Sequence, residues 1–418
     1  MEQDLGKKLF WVSWIVYFIS YIGRLNYAAS MIEIGKSEGY TTTMLGMVVT
    51  ALFISYGIGQ FISGLIGDHY SPRKLVLTGL IGCALCNLFM FSTHSYWQIL
   101  IAWGINGLSL SLIWPPIVKL FTQYMSKEYL HKSCFNIQTS VAMGTFFTYL
   151  MCAVLLKVYK WRVIFLVTAV LLLGAALLWQ IVIRKLEGFH KANEEWQKEQ
   201  EHTQELGIEN DLVKVPFIKV MMGSGLIMIL VAILIMGFLK DGIMTWVPQY
   251  ITDTFNTNTN FSIFLTALLP LVNLSGIYII KYMNNKNEKD DLKTTALFYG
   301  ISLLSLGTLM VIGKSNVYVC VLLFAVVTSC MLGINTILVS ILPTYFERFN
   351  KTAFVAGLTN CVTYLGSGLC GYGLGVLVEG YGWQVTSFIL VGVCLLGSVG
   401  CLVARPRWQR FKKENIEL

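Results

Sequence analysis

The sequence of 418 residues predicts an all-α membrane protein, with twelve transmembrane helices in two pseudo-symmetric six-helix bundles. Three observations point there. The chain is 55% hydrophobic and only 13% charged, with a mean hydropathy of +0.64, whereas an average soluble domain is about a quarter charged. Twelve apolar runs each have about 20 residues, enough to cross a hydrocarbon core of about 30 Å. One long polar segment, "RKLEGFHKANEEWQKEQEHTQELGIENDLVK" at 184–214, separates six runs from six.

Taken in order, the runs are 9–32, 43–66, 74–93, 97–120, 135–156, 162–183, 220–250, 261–282, 293–312, 316–341, 353–377 and 384–404, bounded by Lys, Arg, Pro or Gly. The first is long, and no small-residue cleavage site follows it, so it reads as a retained span. This divides the chain into an N-terminal bundle (1–184), a solvated linker (185–215), a C-terminal bundle (216–405) and a basic tail (406–418). With the N-terminus inside, 23 Lys and Arg residues fall in cytoplasmic segments against five outside, Lys36, Lys157, Lys160, Arg162 and Lys314. That asymmetry predicts a multi-pass cell-membrane protein with both termini cytoplasmic. The net charge of +8 is then an orientation signal, and no nucleic-acid partner is expected. All ten cysteines lie in apolar runs or, for Cys134, at the edge of one, where Cys packs as a small hydrophobe. Cys83 and Cys86 form a CxxC with no second ligand pair, so no metal and no cofactor are expected. Nothing resembles a nucleophile and base set, which argues against an enzyme.

The halves repeat one another. "YKWRV" at 159–163 returns as "YGWQV" at 381–385, an offset of 222. Asn136, Thr139, Ser140 and Met143 share the i, i+3, i+4, i+7 spacing of Asn360, Thr363, Tyr364 and Ser367, an offset of 224. Both sets make a polar stripe that suits a bundle interior or cavity, or bonding between helices. Arg24 has a counterpart in Lys240, an offset of 216. A charge near the bilayer centre costs roughly 2.5 to 3.5 kcal/mol on insertion scales, so two require compensation. Asp241 is the clear carboxylate within the spans, but it lies about 100° round the helix from Lys240 and is expected to face elsewhere. The more economical reading is a water-filled cavity awaiting an anion. Tyr17, Tyr21 and Arg24 share a helix face with Tyr27 to one side, and phenols beside a guanidinium suit an oxyanion-rich head group. Asn26 points the other way and reads as interhelical packing. Tyr56, Gln60 and Ser63 share a face of the second run and extend the cavity. In "YLGSGLCGYGLG" at 364–375, Gly371 and Gly375 form a small-xxx-small pair for close helix approach.

Twelve spans in two repeats, with "GLIGDHYSPRK" after the second, resemble the major facilitator superfamily, whose signature G-x-x-x-D-[RK]-x-G-[RK]-[RK] is met at Gly64, Asp68 and Arg73. The resemblance implies a cytoplasmic gate at those residues. Closer matches are to the organophosphate:phosphate antiporter family. Tyr17, Tyr21, Arg24 and Asn26 meet its first-helix pattern Y-x3-Y-x2-R-x-N. Tyr56, Gly57, Phe61 and Gly64 meet the second, Trp114, Pro115 and Pro116 the fourth, and Leu239, Gly242, Trp246, Pro248 and Tyr250 the seventh. Four positions depart: Leu25 and Gln60 stand for basic residues, Thr139 for the fifth-helix histidine, and Lys240 for an arginine. The resemblance implies a transporter that exchanges a phosphorylated metabolite for inorganic phosphate by alternating access; a monomer is expected, and the helix faces, the repeat and the family pattern together give Arg24, Lys240, Tyr17, Tyr21, Tyr27, Tyr56, Gln60, Thr139, Trp246, Asn360 and Tyr364 as the candidate binding set. A proton- or sodium-coupled carrier of an organic carboxylate would use the same two cations, and a sugar-phosphate sensor of the same fold is a third reading.

Overall fold

The computed structural model describes residues 2–66, 70–125, 127–198, 217–288, 290–313, 315–349 and 351–416. The first half of the chain contributes α1 (Glu2–Glu38), α2 (Thr42–Ile66), α3 (Pro72–Ser92), α4 (Tyr96–Ser111), α5 (Trp114–Tyr124), α6 (Lys127–Asn136), α7 (Gln138–Leu155) and α8 (Arg162–Lys198). The second contributes α9 (Phe217–Gly223), α10 (Leu226–Phe255), α11 (Thr259–Ala267), α12 (Leu269–Lys286), α13 (Asp291–Ile312), α14 (Val317–Asn335) and α15 (Thr352–Ile416). Among the described residues, ten stretches are long and apolar enough to cross a membrane, and the last of them, Phe354–Glu414, is two spans that meet at Gly382. There φ is 73° and ψ 176°, a conformation that glycine adopts without steric cost and that breaks the helix. Counting α1 as well gives twelve. It carries Tyr17, Tyr21 and Arg24 on one face and Asn26 on another, besides charged residues at both ends.

Breaks within spans follow local chemistry. Pro115 and Pro116 cannot donate to the preceding turn, so the fourth span divides into α4 and α5. Pro270 does the same between α11 and α12. Asn258, Asp290 and Asn316 accept backbone N–H groups at the starts of α11, α13 and α14, at 3.0, 3.1 and 2.8 Å. Gly225, with φ 73°, separates α9 from α10, so the seventh span begins later than its hydrophobicity suggests. After α14 the chain passes through a π-helical turn, Thr336–Ile341, into the 3-10 segment Leu342–Phe349.

Large apolar side chains such as Val170, Leu177 and Leu304 are exposed within the spans, where lipid is their solvent. Polar groups turn inward. Asn26 Nδ2 donates to Asn87 Oδ1 at 2.7 Å and to Thr168 Oγ1 at 3.2 Å, tying α1 to α3 and α8. Asn106 Nδ2 of α4 donates to the Gly23 carbonyl at 2.9 Å, directly before Arg24. These bonds set the rotation and depth of α1.

The last arm of α15 is fastened to α13 by a second polar knot. Asp290 Oδ2 accepts from Arg405 Nε at 2.7 Å and Gln409 Nε2 at 2.6 Å. Asp291, 1% exposed, accepts from Asn284 at 2.9 Å, Trp408 at 3.4 Å and Lys412 at 2.8 Å. Asp291→Ala withdraws this acceptor from its donors and is expected to cost on the order of 2 to 4 kcal/mol. In detergent it should lower the thermal midpoint by several degrees, and an unchanged midpoint would contradict a stabilising role.

Candidate functional site

Arg24 is 5% exposed and boxed by aromatic rings. Its Cζ lies 4.5 Å from the ring centroid of Tyr56, 5.0 Å from Tyr364, 5.3 Å from Tyr21 and 5.4 Å from Phe53. Its Nη1 reaches the Tyr21 hydroxyl at 3.4 Å. Ring faces stabilise a planar cation without neutralising it, so the guanidinium keeps its charge and its donors. Tyr364 comes from the opposite half of the chain, and the Lys240 ammonium lies 5.8 Å from the same ring. The two repeat-related cations therefore converge on one aromatic side chain.

Between them is a cavity of about 100 Å³, room for several waters where one needs about 10 to 15 Å³. The first half lines it with Tyr21, Arg24 and Leu25 of α1, Phe53 of α2, and Gln138, Val141, Ala142 and Thr145 of α7. The second half supplies Lys240, Asp241, Met244 and Thr245 of α10, Pro270 and Asn273 of α12, and Leu332 of α14. Asn273 Oδ1 accepts from Thr328 at 2.7 Å, which fixes the side chain at the wall.

Several expected residues stand near this centre. Tyr17 packs against Tyr21 at 5.3 Å and stacks on Trp114 at 5.1 Å, one layer back. The Gln60 amide donates to Tyr56 Oη at 2.9 Å and steadies that ring. Others stand elsewhere. Tyr27 packs on Trp103 at 5.4 Å and donates to the Leu45 carbonyl at 3.3 Å, inside the first bundle. Thr139 Oγ1 accepts from the Trp14 indole at 2.9 Å, because the stripe 136, 139, 140, 143 lies on the far side of α7 from 138, 141, 142, 145. Trp246 is 1% exposed and joins Trp383, at 6.5 Å, in an aromatic cluster away from the cations. The Asn360 amide donates to Ala356 O on its own helix at 3.1 Å. Of the gate residues, Gly64 lies in the last turn of α2 and Arg73 in the first turn of α3, with its carbonyl accepting from Trp179 at 3.1 Å. Asp68 lies outside the described residues.

Asp241 departs from the sequence reading. Its Oδ1 is 3.6 Å from Lys240 Nζ, and Oδ2 accepts from Ser367 Oγ at 2.6 Å. A 100° separation on the helix does not keep these side chains apart when one cavity spans both directions. Gln138, Thr145, Thr245 and Asn273 were also missed, since a lone polar residue in an apolar run carries no sign of which face looks inward.

The two halves are sealed together at the end of the bundle that holds the α1–α2 turn. Thr50 Oγ1 donates to the Gly368 carbonyl and accepts from the Tyr372 N–H at 2.8 Å. The Lys36 ammonium donates to Thr259 at 2.8 Å, and Tyr149 to the Met244 carbonyl at 3.0 Å. Glu379 accepts the Thr43 N–H at 2.8 Å, capping the start of α2 from the other half. That hydrogen bonding to Thr43 holds the Glu379 carboxyl below the usual carboxylate range. The latch is therefore present above the ordinary carboxylate pKa and is lost as pH falls through the lowered one.

The sequence profile of the Major Facilitator Superfamily matches residues 13–371. The chain belongs to the major facilitator superfamily. A probable hexose phosphate transport protein of Chlamydia pneumoniae is 22% identical over 440 residues, covering 99% of this chain and 95% of that protein. The glycerol-3-phosphate transporter of Bacillus subtilis is 22% identical over 419 residues, covering 94% and 91%. Among solved structures, a bacterial homologue of the human lysosomal transporter Spinster, inward-facing and unoccupied, superposes with a TM-score of 0.69 at 12% identity over 99% of this chain and 98% of that one. These relatives are transporters in the superfamily and not enzymes.

The seal depends on Gly46, where a Cβ would run into the Gly371 carbonyl and meet Trp246 at 3.1 Å. Gly46→Val should therefore disfavour the sealed state by about 1 to 3 kcal/mol. Hydrogen–deuterium exchange over residues 42–50 and 368–379 is expected to rise roughly tenfold, and an unchanged rate would mean that α2 and α15 do not meet there.

Proposed function

We propose that this protein is a secondary active transporter of the cell membrane, with both termini cytoplasmic, that exchanges a phosphorylated metabolite for inorganic phosphate. The observation that carries the reading is the convergence of Arg24 and Lys240, one from each half, on Tyr364 in a single cavity. An oxyanion bound there contacts both halves at once. In alternating access, 1–184 and 216–405 rock as two bodies about such a site, and a ligand that bridges them favours the states in which both grip it. Phosphate and a phosphate ester share the head group, so either can permit the switch. Arg24 offers a planar fork of donors, Lys240 a point charge, and the amides of Gln138 and Asn273 suit a hydroxylated tail. The similarity to a hexose phosphate transport protein and a glycerol-3-phosphate transporter supports the same head group. One chain holds the whole cavity, so a monomer suffices.

The test is uptake of labelled phosphate into proteoliposomes preloaded with phosphate, with and without external sugar phosphate. Sugar phosphate should compete, and Arg24→Ala should reduce exchange at least about tenfold, as expected for loss of a charge-assisted hydrogen bond. Arg24→Lys keeps the charge but loses the fork and the ring stacking, and should recover less than about a tenth of the activity. Folded protein that moves another anion and ignores phosphate would refute the proposal.

A further inference from the structure

Lys240 already has an anion beside it. Asp241 pairs with it at 3.6 Å, and the 2.6 Å bond from Ser367 holds that carboxylate in place from α15. Other charged or titratable groups in electrostatic reach of Asp241 are Tyr21 and Arg24 on α1, Tyr149 on α7 and Cys370 on α15, while Tyr364 faces Lys240 from α15. Among the described residues that line the cavity, Asp241 is the sole carboxylate. With Arg24 and Lys240 counted as cations and Asp241 as an anion, the formal charge of the wall is +1.

We propose that Asp241 is a specificity-determining residue that tunes this site to singly charged anions. The inference rests on the anion-transport reading above. An arriving substrate shares Lys240 with the resident carboxylate. A monoanion leaves the cavity neutral, whereas a dianion leaves an excess negative charge in a poorly screened interior and faces Asp241 across a few ångströms. The bond to Ser367 restrains the carboxylate from swinging away to relieve that repulsion. For a phosphate ester, whose second ionisation falls near pH 6, the favoured species is the monoanion.

The experiment measures inhibition of tracer phosphate exchange in proteoliposomes, with tracer far below saturation, by glucose 6-phosphate and by glucose 6-sulfate between pH 5 and pH 8. The sulfate ester carries one charge throughout. In the wild type, the half-inhibitory concentration of the phosphate ester should rise roughly 100-fold over that range as its monoanion disappears, while that of the sulfate ester stays constant. In Asp241→Asn the rise should shrink to less than about threefold. A flat wild-type profile for the phosphate ester would overturn the proposal without recourse to any variant. So would a sulfate ester whose potency follows pH, which places the titrating proton on the protein, or an Asp241→Asn protein with the wild-type profile. If the wild type shows no phosphate exchange at any pH, the transport reading falls and takes this one with it; any of the three profiles above removes this one alone.

Discussion

Two cations held within a membrane-embedded bundle, with one carboxylate beside Lys240, set the terms for the rest of the structure. Each charge near the centre of a bilayer costs several kcal/mol unless water, rings or counter-charges attend it. The chain supplies rings from α1, α2 and α15 around Arg24, and a carboxylate and a ring for Lys240. The balance stays positive. Because the two cations belong to different halves, the compensation that an anion brings is also an attraction between those halves, and binding is thereby coupled to their relative position.

Polar chemistry elsewhere serves to hold these charges in place. Asn26, Asn87, Thr168 and Asn106 fix α1 to α3, α8 and α4 on either side of Arg24. In the second half, Ser367 reaches both the Gly237 carbonyl, at 3.2 Å, and Asp241, so one hydroxyl aligns α15 and α10 beside Lys240. In hydrocarbon such bonds have no water to compete with them, which lets a few set the rotation of a long helix. The seal at the α1–α2 end works differently, through glycine surfaces at Gly46 and Gly371 and single hydrogen bonds. Its separate small contacts can be broken one at a time, as an interface that must reopen requires.

Much of this was legible in the sequence. The pairing of Arg24 with Lys240 followed from the repeat offset, and the interhelical role of Asn26 from its direction on the helix. The helical period also grouped Tyr17, Tyr21 and Arg24 correctly, since residues three and four apart share a face. It failed for Thr139, because periodicity says which residues lie together on α7 but not which of its faces meets the cavity. Tyr27 and Trp246 came from a first-helix face and a family pattern; Tyr27 is instead buried within its own bundle against Trp103, and Trp246 lies beside Trp383 at the seal, close to Gly46.

Length, hydropathy and internal repetition therefore determined the class of protein, the approximate spans and the two cations, since the bilayer imposes those constraints on each helix separately. The tertiary structure alone decided what surrounds the cations. Tyr364 beneath both of them, Asp241 turned toward Lys240, and the amides of Gln138 and Asn273 on the cavity wall depend on how helices distant in sequence are rotated against one another. That rotation is set by side-chain packing and a few buried hydrogen bonds between helices, a property of pairs of segments that no single run of sequence contains.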